Sequence, residues 1–358
     1  MCRCYNERTE RRNYKEYVMA VVDNNRGNKL ILPTDKAEYT RHIFELYENF
    51  NKECFDSVVK CNRRFKNTID LVYKAHNQTY KEIEHNYLPC IDITGDTKVC
   101  LGFSGGLDSM YQAFALKDDG FDVVLFHVKG INTYENGQGT KHSKEFAEKF
   151  GFEYVEAIIQ KTNDKTNVYK QYWPENPIKN QLIIAMMLDW CIENDCGLIS
   201  LGDDFDLSID DAVVGINLTD ARELTHAFLL DISCFVKPFA FLQIENGIDK
   251  AQRLKMLKER GAIDVYYSCV LPGRFNQTRH FGNQEKYGVE LPANNCGCSC
   301  RKCAMHNLIM YYEKMVDYPQ NFIDACWRVM WDNKHSADYK FFAPDLPLEE
   351  RIKNLYTY

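Results

Sequence analysis

A chain of 358 residues, 45% of them hydrophobic, can bury the core of one large α/β domain with additions, or of two domains. Its formal charge of −7 at pH 7 argues against a broad nucleic-acid footprint, which needs a basic face, and leaves room only for a local basic patch. The start, Met1-Cys2-Arg3-Cys4, lacks the apolar segment of a secretory signal, and no run approaches the ~18 apolar residues of a membrane helix, so a soluble, cytoplasmic protein without a membrane partner is expected.

Residues 1–95 read as an accessory N-terminal module. Two β-like runs, 17–22 and 29–32, precede helix-like stretches over about 37–50 and 54–87. In the second stretch Phe55, Val58, Val59, Phe65, Ile69, Val72 and Tyr73 recur at three- and four-residue steps. No catalytic motif stands out in this module, and packing is its default role. From 96 to 268 strand and helix patterns alternate. Strands are expected at 98–103, 122–128, 153–159 and 197–202, and helices at 108–118, 141–150, 178–194 and 248–260. Such alternation predicts an α/β fold: a Rossmann-like parallel sheet with helices on both faces, binding ligands at the carboxyl ends of its strands. Residues 269–358 hold a cysteine-bearing segment with few regular signals up to 303, helices at 305–316 and 320–332, and a polar, aromatic tail.

The most informative string is Ser104-Gly105-Gly106-Leu107-Asp108-Ser109, set between an apolar strand ending in Gly102-Phe103 and a helix. A Gly-Gly turn lets backbone N–H groups close on phosphate oxygens, and the helix N-terminus behind it adds free donors and partial positive charge. Ser104 and Ser109 add hydroxyls. Asp108 makes sense beside a phosphate when a metal ion lies between them. The bland alternative is a serine-rich turn that only caps a helix. The Gly-Lys-Ser/Thr ending of the Walker loop is absent.

Fifteen cysteines, an odd number in a large chain without an export signal, predict reduced thiols, with any cluster serving a metal. Four of them crowd into 296–303: Cys296-Gly297-Cys298-Ser299-Cys300-Arg301-Lys302-Cys303. Cys300-x-x-Cys303 has the spacing of a zinc pair at a helix start. Cys296 or Cys298 supplies a third ligand, and Cys269 is the candidate by position for the fourth. A redox pair, an iron–sulfur cluster and surplus thiols are the alternatives to structural zinc.

The loop resembles the pyrophosphate-binding Ser-Gly-Gly-x-Asp-Ser of the N-type ATP pyrophosphatases, which transfer AMP to a substrate oxygen and release pyrophosphate. Loop and cysteines together look like the 7-cyano-7-deazaguanine synthase family. Ser268-Cys269, Cys296-Gly297 and Cys300-x-x-Cys303 resemble its zinc segment. Pro177-Ile178-Lys179-Asn180, Thr219-Asp220-Ala221-Arg222 and Lys250-Ala251-Gln252 resemble other stretches of it. The likeness covers roughly 98–306. The chain departs from the family in its first ~95 residues, in the long interval between Cys269 and Cys296, in Lys179 for an arginine, and in His306 for another arginine.

The resemblance implies an ATP-dependent carbon–nitrogen ligase that uses ATP, Mg²⁺ and Zn²⁺. Gly102, Phe103, Ser104, Gly105, Gly106, Leu107, Asp108 and Ser109 would contact ATP, with Asp108 positioning Mg²⁺ and Lys250 countering the leaving pyrophosphate. Lys179, Asn180, Asp220 and Arg222 would line the 7-deazaguanine pocket, although Asn180 could instead cap its helix, Asp220–Arg222 be a surface ion pair and Lys250 be a solvated lysine. Cys269, Cys296, Cys300 and Cys303 would hold zinc, with Cys296 preferred over Cys298. His127 reads as a packed strand-end residue, and His306 as lying by the zinc or on a turn. The resemblance allows a homodimer. The expected product is 7-cyano-7-deazaguanine. The alternatives are a relative from anti-phage defence that conjugates a 7-deazaguanine to a protein or nucleic-acid acceptor, a non-catalytic nucleotide-binding partner or sensor, and a tRNA thiolase, which the acidic charge disfavours.

Overall fold

A computed structural model of the chain describes residues 19–23, 29–50, 58–60, 65–75, 78–84, 91–92, 97–130, 138–160, 179–202, 222–232, 236–237, 240–242, 248–267, 269, 271, 273–292, 295–332 and 337–357. The first elements are β1 (Ala20–Asp23), β2 (Lys29–Leu32) and α1 (Glu38–Phe50). The single helix expected over 54–87 is corrected to β3 (Val58–Lys60), α2 (Lys66–Ala75) and β4 (Glu82–Glu84), with β3 and β4 paired in parallel. Adjacent β-branched Val58 and Val59 favour the extended chain. The buried helical stripe is confined to Phe65, Ile69, Val72 and Tyr73.

After β5 (Ile91–Asp92) the α/β alternation begins: β6 (Lys98–Gly102), α3 (Leu107–Asp118), β7 (Asp122–Lys129), α4 (Gln138–Phe150), β8 (Glu153–Gln160), α5 (Lys179–Glu193) and β9 (Leu198–Leu201). Then come α6 (Arg222–Ile232), β10 (Val236–Lys237), β11 (Ala240–Leu242) and α7 (Lys250–Glu259). The seven-stranded sheet runs β1-β2-β8-β7-β6-β9-β11. Its five strands from β8 to β11 are parallel, and β2 joins β8 antiparallel. The sheet is therefore mixed but mostly parallel; β1 and β2 extend it, while β3 and β4 form a separate pair.

Counted along the chain, the parallel strands lie in the order third, second, first, fourth, fifth. The order reverses between β6 and β9, and a sheet of this kind opens its ligand crevice at that reversal. Alternate residues of β6 and β7 face two cores. Cys100, Val124 and Phe126 pack with α5, while Val99, Leu101, Val123 and Leu125 pack with α3 and the C-terminal helices. Both faces are thus buried, as a parallel sheet requires.

The C-terminal third holds α8 (Gly273–Tyr287), α9 (Arg301–Tyr312), α10 (Gln320–Met330), a 3-10 turn (Ala337–Phe342) and α11 (Leu348–Thr357). Helix α8 corrects the expectation of little regular structure between Cys269 and Cys303. Among its described side chains the buried ones are polar, Asn276, His280 and Asn283, so no apolar periodicity marks that face. Among the described residues, no helix is long and apolar enough to cross a membrane.

Candidate nucleotide site and metal centre

The Ser104–Ser109 loop leaves β6 at the reversal of strand order. Gly105 has φ +75, a conformation that glycine adopts without strain, and a Cβ there would also lie 2.9 Å from Ser143 Oγ. The two hydroxyls meet, with Ser104 Oγ 3.2 Å from Ser109 Oγ, and Ser104 Oγ accepts from Gly106 N at 3.2 Å. Helix α3 starts at Gly106 with no side-chain cap, so its first-turn N–H groups point into the loop without a side-chain acceptor. Phe103 and Leu107 are buried in the core, so what they offer the loop is backbone. Gly102 is a packing glycine, since a Cβ there would meet Leu201 Cδ2 at 2.5 Å.

Two neighbours fix the loop. His127 is 3% exposed and bridges Phe103 O (2.8 Å) and Thr140 Oγ1 (3.1 Å), which is the packing role read from its position. Tyr267 N donates to Gly105 O at 2.7 Å, and the Tyr267 ring stacks on His142. Gly202 closes the far side. A Cβ there would stand 2.7 Å from both N and Cα of Ser109, so only glycine lets β9 end against α3.

Asp108 sits in the first turn of α3 with 44% of its side chain accessible, like a group on the floor of a cleft. Its Oδ1 accepts from Arg253 Nη1 at 2.8 Å; Arg253 is 1% exposed and also donates to Ile248 O at 2.7 Å. Burial pulls the Asp108 pKa up. The charges of Lys250 and Arg253, the Arg253 hydrogen bond and the Lys302 charge outweigh it and hold Asp108 below the usual carboxylate range. Oδ2 has no hydrogen-bond partner among the described residues. An ionised carboxylate with one open oxygen beside a phosphate loop fits Mg²⁺, directly or through water.

Lys250 is the first residue of α7, whose N-cap Asp249 forms a capping box with Gln252. Arg253 lies one turn on, and Lys302 lies in the first turn of α9. Arg253 thus contacts Asp108 directly, and the charges of Lys250 and Lys302, in the first turns of α7 and α9, act on it from nearby. Positive side chains are disfavoured at helix N-termini, and one carboxylate does not balance this group. The arrangement suits a polyanion. The sequence points to Lys250, and not to Arg253 or Lys302, as a neighbour of this loop. The three-residue step from Lys250 to Arg253 was the available signal.

Cys269, Cys296, Cys300 and Cys303 are buried with their Sγ atoms all within 4.8 Å of one another, while Cys298 stays outside, 3.7 Å from Asn283 Oδ1. Hydrogen bonds from Cys296, Cys300 and Cys303 push the Cys269 thiol down toward the thiolate. Backbone N–H groups of Leu271, Cys296 and Cys303 point at Cys269, Cys303 and Cys300. Helix α8 clasps the loop from outside, with Asn283 Nδ2 on Cys296 O (2.7 Å) and Ser299 Oγ (2.9 Å), and His280 Nδ1 at 2.8 Å from Asn295 O. Gly297 (φ +69) sits against Asn283. Four buried cysteine sulfurs with no open position fit the donor set of structural zinc, whose ~2.3 Å bonds would put sulfurs about 3.8 Å apart. Cys269 and Cys300 are 3.9 Å apart. A four-iron cluster fits less well, because each cysteine then binds a different iron and the sulfurs stand farther apart.

The remaining expected residues are less informative. Asn180 is 8% exposed in the first turn of α5. Lys179 and Arg222 begin α5 and α6, but their side chains lie outside the described residues, as do Pro177, Ile178, Thr219, Asp220, Ala221 and Ser268.

No family model matches the chain, and no curated protein matches it. Among solved structures, it is similar to a U34-tRNA thiolase, NcsA, from Methanococcus maripaludis with its 4Fe–4S cluster, at 19% identity over 62% of this chain and 73% of that one, with a TM-score of 0.31. A predicted subunit of tRNA methyltransferase from Methanocaldococcus jannaschii matches at 17% identity over 48% of this chain and 93% of that one, with a TM-score of 0.27. At these TM-scores neither likeness carries an argument.

Proposed function

We propose that this chain is an enzyme that splits ATP into AMP and pyrophosphate to activate a carboxylate. The observation that carries the reading is the Ser104–Ser109 loop at the uncapped start of α3, with Asp108 bound by buried Arg253 and under the charges of Lys250 and Lys302. Backbone N–H groups and the two serine hydroxyls bind the β- and γ-phosphates. Asp108 Oδ2 holds Mg²⁺, which neutralises phosphate charge, and Lys250 and Lys302 stabilise the charge that develops on the leaving pyrophosphate.

The substrate class follows from the sequence resemblance: 7-carboxy-7-deazaguanine, held in a pocket to which Lys179, Asn180, Asp220 and Arg222 contribute. Its carboxylate oxygen attacks the α-phosphorus and pyrophosphate leaves. Ammonia then attacks the acyl carbon and AMP leaves, giving the amide. Adenylylation of the amide oxygen and a second loss of AMP give the nitrile. The four cysteines hold zinc as a scaffold. Cys269 anchors the strap whose Tyr267 binds Gly105, and Cys300 and Cys303 flank Lys302.

The test is to incubate the protein with ATP, Mg²⁺, ammonium and 7-carboxy-7-deazaguanine and follow AMP and product mass. Nitrile with two AMP per product supports the reading. AMP without nitrile, with a mass increase on an added protein, redirects it to conjugation. ATP binding with no AMP under any condition contradicts an enzyme.

A further inference from the structure

Tyr267 stands between the cysteine cluster and the nucleotide loop and touches both. Its backbone N–H donates to Gly105 O at 2.7 Å. Its half-buried side chain packs against the cluster of Cys269, Cys296, Cys300 and Cys303. Cys269, two positions further along the chain, supplies one of the four sulfurs and lies 3.9 Å from Cys300 Sγ. Leu271 ties this strap to itself: its N–H donates to Cys269 Sγ at 3.4 Å, and its carbonyl accepts from Tyr267 Oη at 3.3 Å.

Helix α4 holds the same two residues, Tyr267 and Gly105. His142 stacks on the Tyr267 ring, with centroids 5.5 Å apart and 15° between the planes. The next residue, Ser143, stands so close to Gly105 that a Cβ there would lie 2.9 Å from its Oγ. Gly105, at φ +75, is therefore held at its carbonyl by the strap and at its Cα by α4. In a trans peptide the carbonyl and the following N–H point opposite ways. With Gly105 O turned to Tyr267, the Gly106 N–H is turned away from the strap and into the loop, where Ser104 Oγ accepts it at 3.2 Å.

We propose that Tyr267 is a positioning residue through which metal on the four cysteines and nucleotide on the loop strengthen each other's binding. This rests on the readings of Ser104–Ser109 as an ATP loop and of the cysteines as a zinc centre. With Cys269 bound to metal the strap is anchored, and the Gly106 N–H is aimed before the nucleotide arrives. With Cys269 released, the donor to Gly105 O is released with it. Coupling of this kind is one free energy shared by two sites, so each ligand tightens the other by the same factor. One oriented hydrogen bond to a charged oxygen makes that factor about tenfold.

The probe is α,β-methylene-ATP with excess Mg²⁺, which cannot be split between the α- and β-phosphates. The full-length, zinc-loaded protein is equilibrated with a competing chelator, with and without the analogue, and a protein-free sample corrects for zinc held by the analogue itself. The parent's zinc affinity should rise about tenfold with the analogue bound, and calorimetry should show the analogue's affinity falling about tenfold when zinc is removed. Tyr267→Phe keeps the ring on His142 and should keep at least about threefold of that coupling. Tyr267→Ala should bring the factor to within about twofold of unity while the loaded protein still holds its metal. Weaker affinities with the tenfold factor intact in Tyr267→Ala would make the residue merely structural and overturn the proposal. So would a parent whose zinc affinity is unmoved by bound analogue, a result read without any variant. A parent that does not bind the analogue overturns the ATP loop as well, and a parent without zinc overturns the metal reading as well.

Discussion

Arg253→Ala would leave Asp108 beside Lys250 and Lys302 without its direct partner. Because Asp108 is partly exposed, the expected loss is about 1–3 kcal/mol, below the range for a fully buried pair, and a chemical denaturation curve measures it. Loss of AMP formation should exceed that of an equally destabilised variant elsewhere, since Oδ2 is no longer aimed. Gly202→Ala acts from the opposite side. Its Cβ would force Ser109 away at both N and Cα, so nucleotide affinity should fall along with about 1–3 kcal/mol of stability, as measured by calorimetry with an ATP analogue. At this scale the sequence is legible where the chemistry is local. Ser104 to Ser109 are consecutive, so the loop can be read from one string. Arg253, Lys302 and Gly202 reach Asp108 and Ser109 from other elements, and their roles arise only once the sheet brings those elements together.

The elements show how the N-terminal segment is attached. Asp189 of α5 accepts from the backbone of Tyr39 (3.2 Å) and Thr40 (2.8 Å) in the first turn of α1. Asp231 of α6 does the same for α2, through Thr68 N, Thr68 Oγ1 and Asn67 Nδ2. Two helix N-termini are thus capped by carboxylates from the central domain. Burial outweighs the bonds from Thr40 and Tyr39 and raises Asp189 to a pKa of about 6. A carboxyl raised in the fold binds more protons folded than unfolded, so its share of stability is present at low pH and is lost as pH rises through about 6. The change is roughly 2–3 kcal/mol between pH 4 and 7, taking about 1.4 kcal/mol per unit. Asp189→Asn should flatten that slope in thermal melts run across the range. Helix α8 marks the limit of pattern reading at this scale. Asn276, His280 and Asn283 are spaced for one helix face, but that face covers a cysteine loop whose backbone carbonyls need donors. A hydrophobic stripe was the wrong signal to look for there.

Across the whole molecule, the four-cysteine cluster and the Ser104–Ser109 loop are joined by short connections: Tyr267 to Gly105, and the α9 turn that carries Cys303 and Lys302. If the cluster holds zinc as proposed, the parent protein should carry one zinc by elemental analysis, and Cys303→Ser should carry less and bind an ATP analogue more weakly. The parallel sheet with both faces buried follows from the alternating apolar runs, which is why the α/β architecture is legible in the sequence. The joining of β1 and β2 to the edge of that sheet could not, because a short β-like run does not say which strand it pairs with. The central claim is that the Ser104–Ser109 loop directs cleavage between the α- and β-phosphates of ATP. ³¹P spectroscopy of Mg-ATP turnover with 7-carboxy-7-deazaguanine and ammonium tests it most directly. AMP and pyrophosphate in equal amounts, abolished by Asp108→Ala, are predicted; ADP with inorganic phosphate, or full AMP release by Asp108→Ala, would contradict it.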